Sequence, residues 1–201
     1  MTLSAPRLFL ASGSATRAAL LQSARVAFVV VSPGVDEDAI KAKAEREGCA
    51  PAQTAMRLAE AKCLAVSVAQ PDALVIGADQ VLDFDGAILS KAPDIAAAAL
   101  QLRALSGKSH RLISAVCAAR GAVLWRNVGA ARMTMRDVPP AEIARYLDAA
   151  GSAVLSSVGA YHYEGLGAHL FSAVEGDSAT ILGLPLLPLL AFLRTQGISF
   201  S

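Results

Sequence analysis

The stretch Arg7-Leu-Phe-Leu-Ala-Ser-Gly-Ser-Ala-Thr-Arg17 decides the architecture. Arg7–Ala11 is a short apolar run that stops at Ser12-Gly-Ser14, and Ala18, Ala19, Leu20 and Leu21 follow in a helix-forming segment. The order is strand, tight loop, helix. Working outward, Val26–Val31 is a β-branched run ended by Ser32-Pro33-Gly34, a second strand that leads into an acidic loop, Asp36-Glu37-Asp38. From Ala52 to about Ala69, the residues Ala55, Leu58, Ala59, Lys62, Ala65 and Val66 recur at helical spacing without Gly or Pro. Ala73–Phe84 has a strand pattern, and Asp85-Gly86 predicts a hairpin whose return strand runs to about Lys91.

Asp94 is placed to cap an alanine-rich helix ending near Leu105. Two strands follow at about Arg111–Ala118 and Val123–Met135, joined near Arg120-Gly121. Pro139-Pro140 opens a helix to Ala149, residues 151–167 are the least regular part, and Leu186–Gln196 predicts a closing helix with Gly197 just beyond it. Helices and strands mix without strict βαβ alternation, and the hairpin requires an antiparallel pair. The expected class is therefore α/β, a mixed β-sheet flanked by helices.

The 201 residues suit one core, so residues 1–201 are read as a single domain. Apolar types make up 54% and charged types 17%, which excludes wholesale disorder. Eighteen Lys plus Arg against seventeen Asp plus Glu give a net charge of +1, which argues against a nucleic-acid-binding surface, as does the absence of basic-aromatic interleaving. Cys49, Cys63 and Cys117 are odd in number and widely spaced, so neither a disulfide framework nor a zinc site is expected. The segment Met1–Arg17 has an apolar stretch of about five residues, short of the roughly 7–15 of a signal peptide. Ile181–Leu193 is interrupted by Gly183, Pro185 and Pro188 and is shorter than the roughly 18 needed to span a bilayer. A soluble, cytoplasmic protein without a membrane partner is expected.

Several constellations bear chemistry. In Ser12-Gly-Ser-Ala-Thr-Arg17 a strand delivers a small-residue loop to a helix N-terminus, where free N–H groups and the dipole attract anions and Arg17 can fork onto a phosphate. The alternative is that Ser14 or Thr16 merely caps the helix and Arg17 is solvated. Gly77-Ala-Asp79-Gln80 puts an Asp inside an apolar strand, where its charge needs compensation, by a divalent cation or by a salt bridge. Glu37 can add a second carboxylate to a magnesium site or simply be solvated. Lys62 and Lys91 are two of five lysines beside thirteen arginines, each a candidate phosphate-binding charge or a snorkelling surface lysine. Gly107-Lys108-Ser109 lacks the first glycine and the preceding strand of a P-loop, Gly165-Leu-Gly167 lacks the third glycine of a dinucleotide loop, and His110, His162 and His169 share no metal-ligand spacing.

The order of these segments is more specific than any one of them. Leu10-Ala-Ser-Gly-Ser-Ala-Thr-Arg17, Val35-Asp-Glu37, Leu58-Ala-Glu-Ala-Lys62, Ile76-Gly-Ala-Asp-Gln80, Asp85-Gly-Ala-Ile-Leu-Ser-Lys91, Leu105-Ser-Gly-Lys-Ser-His110, Glu164-Gly-Leu-Gly167 and Glu175-Gly-Asp177 through Gly183-Leu-Pro185 together resemble the Maf family over nearly the whole chain. These are nucleotide pyrophosphatases once named as septum-formation inhibitors. The resemblance implies a two-lobed fold like that of inosine triphosphate pyrophosphatases, with a nucleotide in the central cleft. It implies hydrolysis of a nucleoside triphosphate to monophosphate and pyrophosphate, dependent on Mg²⁺ or Mn²⁺.

By that analogy Asp79 accepts the proton of the attacking water, and Glu37 with Asp79 holds the metal. Ser12, Ser14, Arg17, Lys62 and Lys91 would bind the substrate. Positions matching Thr16, Gln80 and Glu164 resemble specificity determinants; Gln80 and Glu164 match the 7-methyl-GTP subgroup, where the dTTP and UTP subgroup has Thr and Gln. Thr16 departs from both, standing where the first subgroup has Trp and the second Arg. A carboxylate suits a cationic methylated guanine as acceptor and counter-charge. The alternatives are a dTTP/UTP pyrophosphatase and a noncatalytic nucleotide-binding regulator of cell division, and a homodimer is common in the family.

Overall fold

In the computed structural model, which describes residues 7–200, the opening segment folds as β1 (Leu8–Ala11), a loop, and α1 (Ala15–Ser23). Residues 1–6, part of the segment read above as lacking an export signal, and residue 201 lie outside the described residues. All four residues of β1 are buried, as expected of a strand covered on both faces. It pairs in parallel with β2 (Val29–Val31) on one side and with β3 (Leu74–Phe84) on the other. β3 then pairs antiparallel with β5 (Ser109–Arg120), β5 with β6 (Ala122–Met135), and β6 with β7 (Phe171–Glu175). The hairpin strand β4 (Ala87–Leu89) returns along the end of β3 through Asp85-Gly86, both at positive φ. The result is a mixed seven-stranded sheet in the order β2-β1-β3-β5-β6-β7, with β4 beside β3. This is the expected α/β class.

The pairing of β3 positions the site. β1 follows β3 only as far as Ala11↔Gly77, and β4 picks it up only at Leu82↔Leu89. Between them, Ala78–Val81 have β5 on one side and no strand partner among the described residues on the other. The sheet is notched where β1 ends and α1 begins. This is the kind of crevice, at the carboxyl end of a parallel strand, where α/β sheets bind ligands.

Strand alternation sends Val75, Val81, Ile113, Ala115 and Cys117 to one face, under Ala55, Leu58, Ala59 and Cys63 of α3 (Pro51–Ala69). Leu74, Ile76, Ala78, Val116 and Ala118 face the other way, against Leu21 of α1 and Leu189 and Leu193 of α7 (Leu186–Thr195). A third cluster joins Leu82, Leu112, Met133 and Met135 to Leu102 and Leu105 of α4 (Ile95–Leu105) and Ile143 and Tyr146 of α5 (Pro140–Ala150). The apolar interior is thus divided between two lobes, with the notch of β3 between them.

Four readings of the sequence change. The Val26–Val31 strand shortens to Val29–Val31, because Val26 is pulled back onto α1, its N–H donating to Leu21 O at 3.1 Å and its side chain joining the core. The acidic loop at 36–38 is the start of α2 (Glu37–Arg46), capped by Asp36, whose Oδ1 accepts from the Ala39 N–H at 2.9 Å. That helix buries only Ala44, so it has no apolar stripe to betray it; acids in its first turn and Lys43 and Arg46 in its last suit the helix dipole instead. β7 and the short α6 (Ser178–Ile181) also went unread. Both are too short to show a period. Among the described residues no helix is long and apolar enough to cross a membrane, and the three cysteines are free.

Candidate functional site

A cleft of about 590 Å³ opens at the notch. Ser12, Ser14, Thr16, Arg17, Glu37, Lys62, Asp79, Gln80, Lys91 and Glu164 all line it, so the structure brings together every residue singled out from the sequence. They arrive from the β1–α1 loop, the start of α2, the middle of α3, the open edge of β3, the end of the β4 hairpin and the irregular 151–167 region.

α3 reaches the notch because Gly77 lets it. A Cβ at Gly77 would lie 2.3 Å from Ala59 O and 2.6 Å from Cys63 N, so the helix backbone rests directly on the strand two residues before Asp79. This close approach delivers Lys62, whose Nζ lies 2.6 Å from Asp79 Oδ1 and 2.7 Å from Glu37 Oε1. Lys62 and Asp79 are 6% and 5% exposed, which rules out a snorkelling surface lysine. Of the two compensations open to Asp79 from the sequence, the structure shows the salt bridge, made by a lysine of the helix above. Glu37 is half-buried. Burial pushes its carboxyl up, but the hydrogen bond and charge of Lys62, aided by Lys41 and Lys91, outweigh this and hold it below the ordinary carboxylate range.

The β1–α1 loop contributes the second cation. Ser14 caps α1, its Oγ accepting from the Arg17 N–H at 3.3 Å, while the Ser12 hydroxyl oxygen accepts from the Ser14 N–H at 3.2 Å. Capping and a place in the cleft coexist. Arg17 is 9% exposed and not solvated: Nε donates to Gly183 O at 2.8 Å and one terminal nitrogen to Ser12 Oγ at 3.3 Å. Burial lowers its pKa from the usual value, and the charges of Asp79 and Glu37 push it back up. A guanidinium carries five N–H donors in a rigid fork, so most remain free for an anion. Lys91 is exposed on the rim.

A profile of the Maf-like proteins matches residues 7–196. The chain belongs to the Maf family. It is 51% identical to the nucleoside triphosphate pyrophosphatase of Paramagnetospirillum magneticum over 189 residues, 94% of this chain and 97% of that one. It is 49% identical to the 7-methyl-GTP pyrophosphatase of Brucella abortus over 191 residues, 94% and 96% of the two chains, and 48% identical to that of Rhizobium etli over 193, 96% and 97%.

In this Maf-family chain, Gln80 Nε2 donates to Ser114 Oγ at 3.0 Å, Thr180 O at 3.1 Å and Ile181 O at 2.9 Å. Its carbonyl oxygen is left to accept. Thr16 is half-buried and Glu164 exposed at the cleft wall. Sequence reasoning missed Lys41 of α2, and it passed over Ser156, Ser157, Tyr161, His162 and Tyr163, which also line the cleft. The Gly-, Ser- and Tyr-rich composition of 151–167 was the available signal. Behind Tyr161 stands His110, buried, with Nε2 2.6 Å from the phenol oxygen; burial pushes its pKa down to about 4. A second buried carboxylate, Asp83, lies outside this cleft, its charge met by Arg111.

Among the described residues no three acidic, His or Cys side chains gather as a self-sufficient metal cage. The pair Glu37 and Asp79 nevertheless fits a hard divalent cation, since one ammonium nitrogen already sits within 2.7 Å of both. Mg²⁺ is commonly held by one or two carboxylates completed by substrate phosphates and water.

Proposed function

We propose that this protein hydrolyses a nucleoside triphosphate to the nucleoside monophosphate and pyrophosphate, and that the whole chain acts as one functional unit. The observation that carries the reading is the convergence of Lys62, Glu37, Asp79 and Arg17 at the stretch Ala78–Val81 of β3, which among the described residues has a strand on one side only. Phosphoanhydride cleavage needs positioning and neutralisation of charge more than a covalent nucleophile, and this cleft holds basic groups and paired carboxylates for that purpose. The names of the relatives, nucleoside triphosphate pyrophosphatase and 7-methyl-GTP pyrophosphatase, support it.

In this reading Glu37 and Asp79 would hold Mg²⁺ or Mn²⁺, which when bound would neutralise phosphate charge and lower the pKa of water. Arg17 and Lys62 take the triphosphate oxygens, Lys91 reaches them from the rim, and the Ser12 and Ser14 hydroxyls and the α1 N-terminus complete the cradle. Water attacks the α-phosphorus as Asp79 accepts its proton. The new P–O bond forms as the α–β bridging bond breaks, and the pyrophosphate leaves with that bridging oxygen. Gln80, with only its carbonyl oxygen free, and Glu164 then face the base as acceptors, which favours a guanine bearing N1–H and N2 amino donors and, with Glu164's charge, a 7-methylated one. Thr16 borders the same region. The enzyme works in the cytoplasm, as a homodimer, with no nucleic-acid or membrane partner.

The test is pyrophosphate release by the purified protein with Mg²⁺ over 7-methyl-GTP, GTP, dTTP and UTP, with the products identified. The reading expects monophosphate and pyrophosphate in equal amounts, fastest with 7-methyl-GTP. Asp79→Asn should lower kcat by about 10²–10⁴-fold, the range of a positioned general base. Preference for dTTP and UTP would move the chain to the other subgroup; tight nucleotide binding without turnover under any metal would make it a noncatalytic binder. An unchanged rate in Asp79→Asn would remove the assigned base.

A further inference from the structure

On the sheet face opposite α3, three residues of three adjacent strands form one cross-strand row. Gln80 of β3 is in register with Ser114 of β5, and Ser114 with Gly129 of β6. Thr180 of α6 sits on this row and is 1% exposed. Its carbonyl accepts from the Ser114 hydroxyl at 2.8 Å and from Gln80 Nε2 at 3.1 Å. Its side chain occupies the space over Gly129, where a Cβ would come within 2.8 Å of Thr180 Oγ1 and 3.1 Å of its Cγ2. Asp177 holds the other end of the same residue, accepting from the Thr180 N–H at 2.8 Å and from its hydroxyl at 2.6 Å.

From this anchor the chain turns directly to Arg17. The Gly183 N–H donates to the Thr180 carbonyl at 3.1 Å, and the Gly183 carbonyl accepts from Arg17 Nε at 2.8 Å. Gly183 stands at φ 97, and a Cβ there would lie 3.2 Å from that Nε. Besides Ser12 Oγ on one terminal nitrogen, the aim of the buried guanidinium therefore depends on this backbone carbonyl, whose place is set by Thr180.

We propose that Ser114, Gly129 and Thr180, with the Gln80 amide, are positioning residues that aim Arg17 at the substrate phosphates through the Gly183 carbonyl. None of the four needs to touch a phosphate to do so. A fork that must meet phosphate oxygens tolerates little misplacement, and an error of about 1 Å is enough to lose much of the advantage of a preset orientation. Gln80 acts here through its donors, separately from its free carbonyl oxygen.

The inference rests on the proposal that Arg17 binds phosphate, and the test separates the two. Calorimetry measures pyrophosphate binding in the presence of Mg²⁺, a probe without a base, for the wild type, Arg17→Ala, Ser114→Ala, Gly129→Ala, and each of the last two combined with Arg17→Ala. Arg17→Ala is expected to weaken binding about tenfold or more, as loss of a charge-assisted fork should. Ser114→Ala and Gly129→Ala are each expected to weaken it about three- to tenfold alone and by nothing further once Arg17 is gone. A merely structural role would show additive losses in the double variants, and that result overturns the inference. So does undiminished binding by Ser114→Ala and Gly129→Ala when Arg17→Ala is weakened. Undiminished binding by Arg17→Ala would instead sink the phosphate role of Arg17, and the positioning role with it. Should Ser114→Ala fail to fold by circular dichroism, Gly129→Ala, which adds one methyl under Thr180, carries the same decision.

Discussion

Lys62→Met removes the ammonium that is ion-paired with both Glu37 and Asp79 while keeping nearly the length of the side chain. Lys62 and Asp79 are nearly excluded from water and 2.6 Å apart, so truncation leaves Asp79 buried without its partner. Breaking a buried pair from one side costs about 3–5 kcal/mol, chiefly as the desolvation of the charge left behind. The Lys62–Glu37 contact adds little, because Glu37 is 42% exposed in its side chain and solvent screens it. Arg17 is close enough for both carboxylates to influence it, which puts the expected loss at the lower end, about 3 kcal/mol. For a domain of this size that is a fall in Tm of roughly 6–12 °C. Urea denaturation followed by circular dichroism reads the loss, and Asp79→Asn in the same background should recover part of it, with a coupling of about 0.5–3 kcal/mol. A variant as stable as wild type, or losses that simply add in the double variant, would refute the claim that this lysine compensates the buried acid.

Gly77→Ala should lower stability by about 1–3 kcal/mol and depress triphosphate turnover together, since its methyl would meet the α3 backbone at 2.3 Å and push Lys62 off Asp79; denaturation and pyrophosphate-release assays on one preparation check both. His110 makes stability depend on mildly acidic pH. Its folded pKa of about 4 lies below the ordinary 6.5, so the unfolded chain takes up a proton that the folded chain refuses, and this contribution is fully present above 6.5 and is lost as pH falls toward 4. The loss should reach about 2 kcal/mol by about pH 5, and His110→Gln should flatten that part of the profile in denaturation series run across the window; parallel profiles would refute it.

Much of the fold was legible because long elements carry their own period. α3 and α4 announced themselves by helical spacing and by Asp94, whose Oδ1 accepts from the Ala97 N–H at 2.8 Å. Asp85-Gly86 marked the hairpin because the turn needs two positive φ values. α2 was not legible, since a helix held mainly by its cap and end charges has no apolar stripe, and β7 is a short edge whose partner, β6, lies far back in the chain. In the site, an Asp in an apolar strand and a lysine in an alanine-rich helix were visible as anomalies. That the lysine answers the Asp was not, because the two are 17 residues apart in sequence and meet only across Gly77. The Gly183 carbonyl had no signature at all: every residue has a carbonyl, and only its placement makes this one a partner for Arg17.

What the sequence determined alone was which residue types are present, in what order, and which local runs repay helix or strand formation; that suffices for the α/β class and for the charged residues of the cleft other than Lys41. What the tertiary structure decided was which charges compensate one another. Coulomb and hydrogen-bond energies depend on separations of a few ångströms and on exclusion of water, and both are set here by a strand that ends early, a helix resting on a glycine, and a seat of three strands under Thr180.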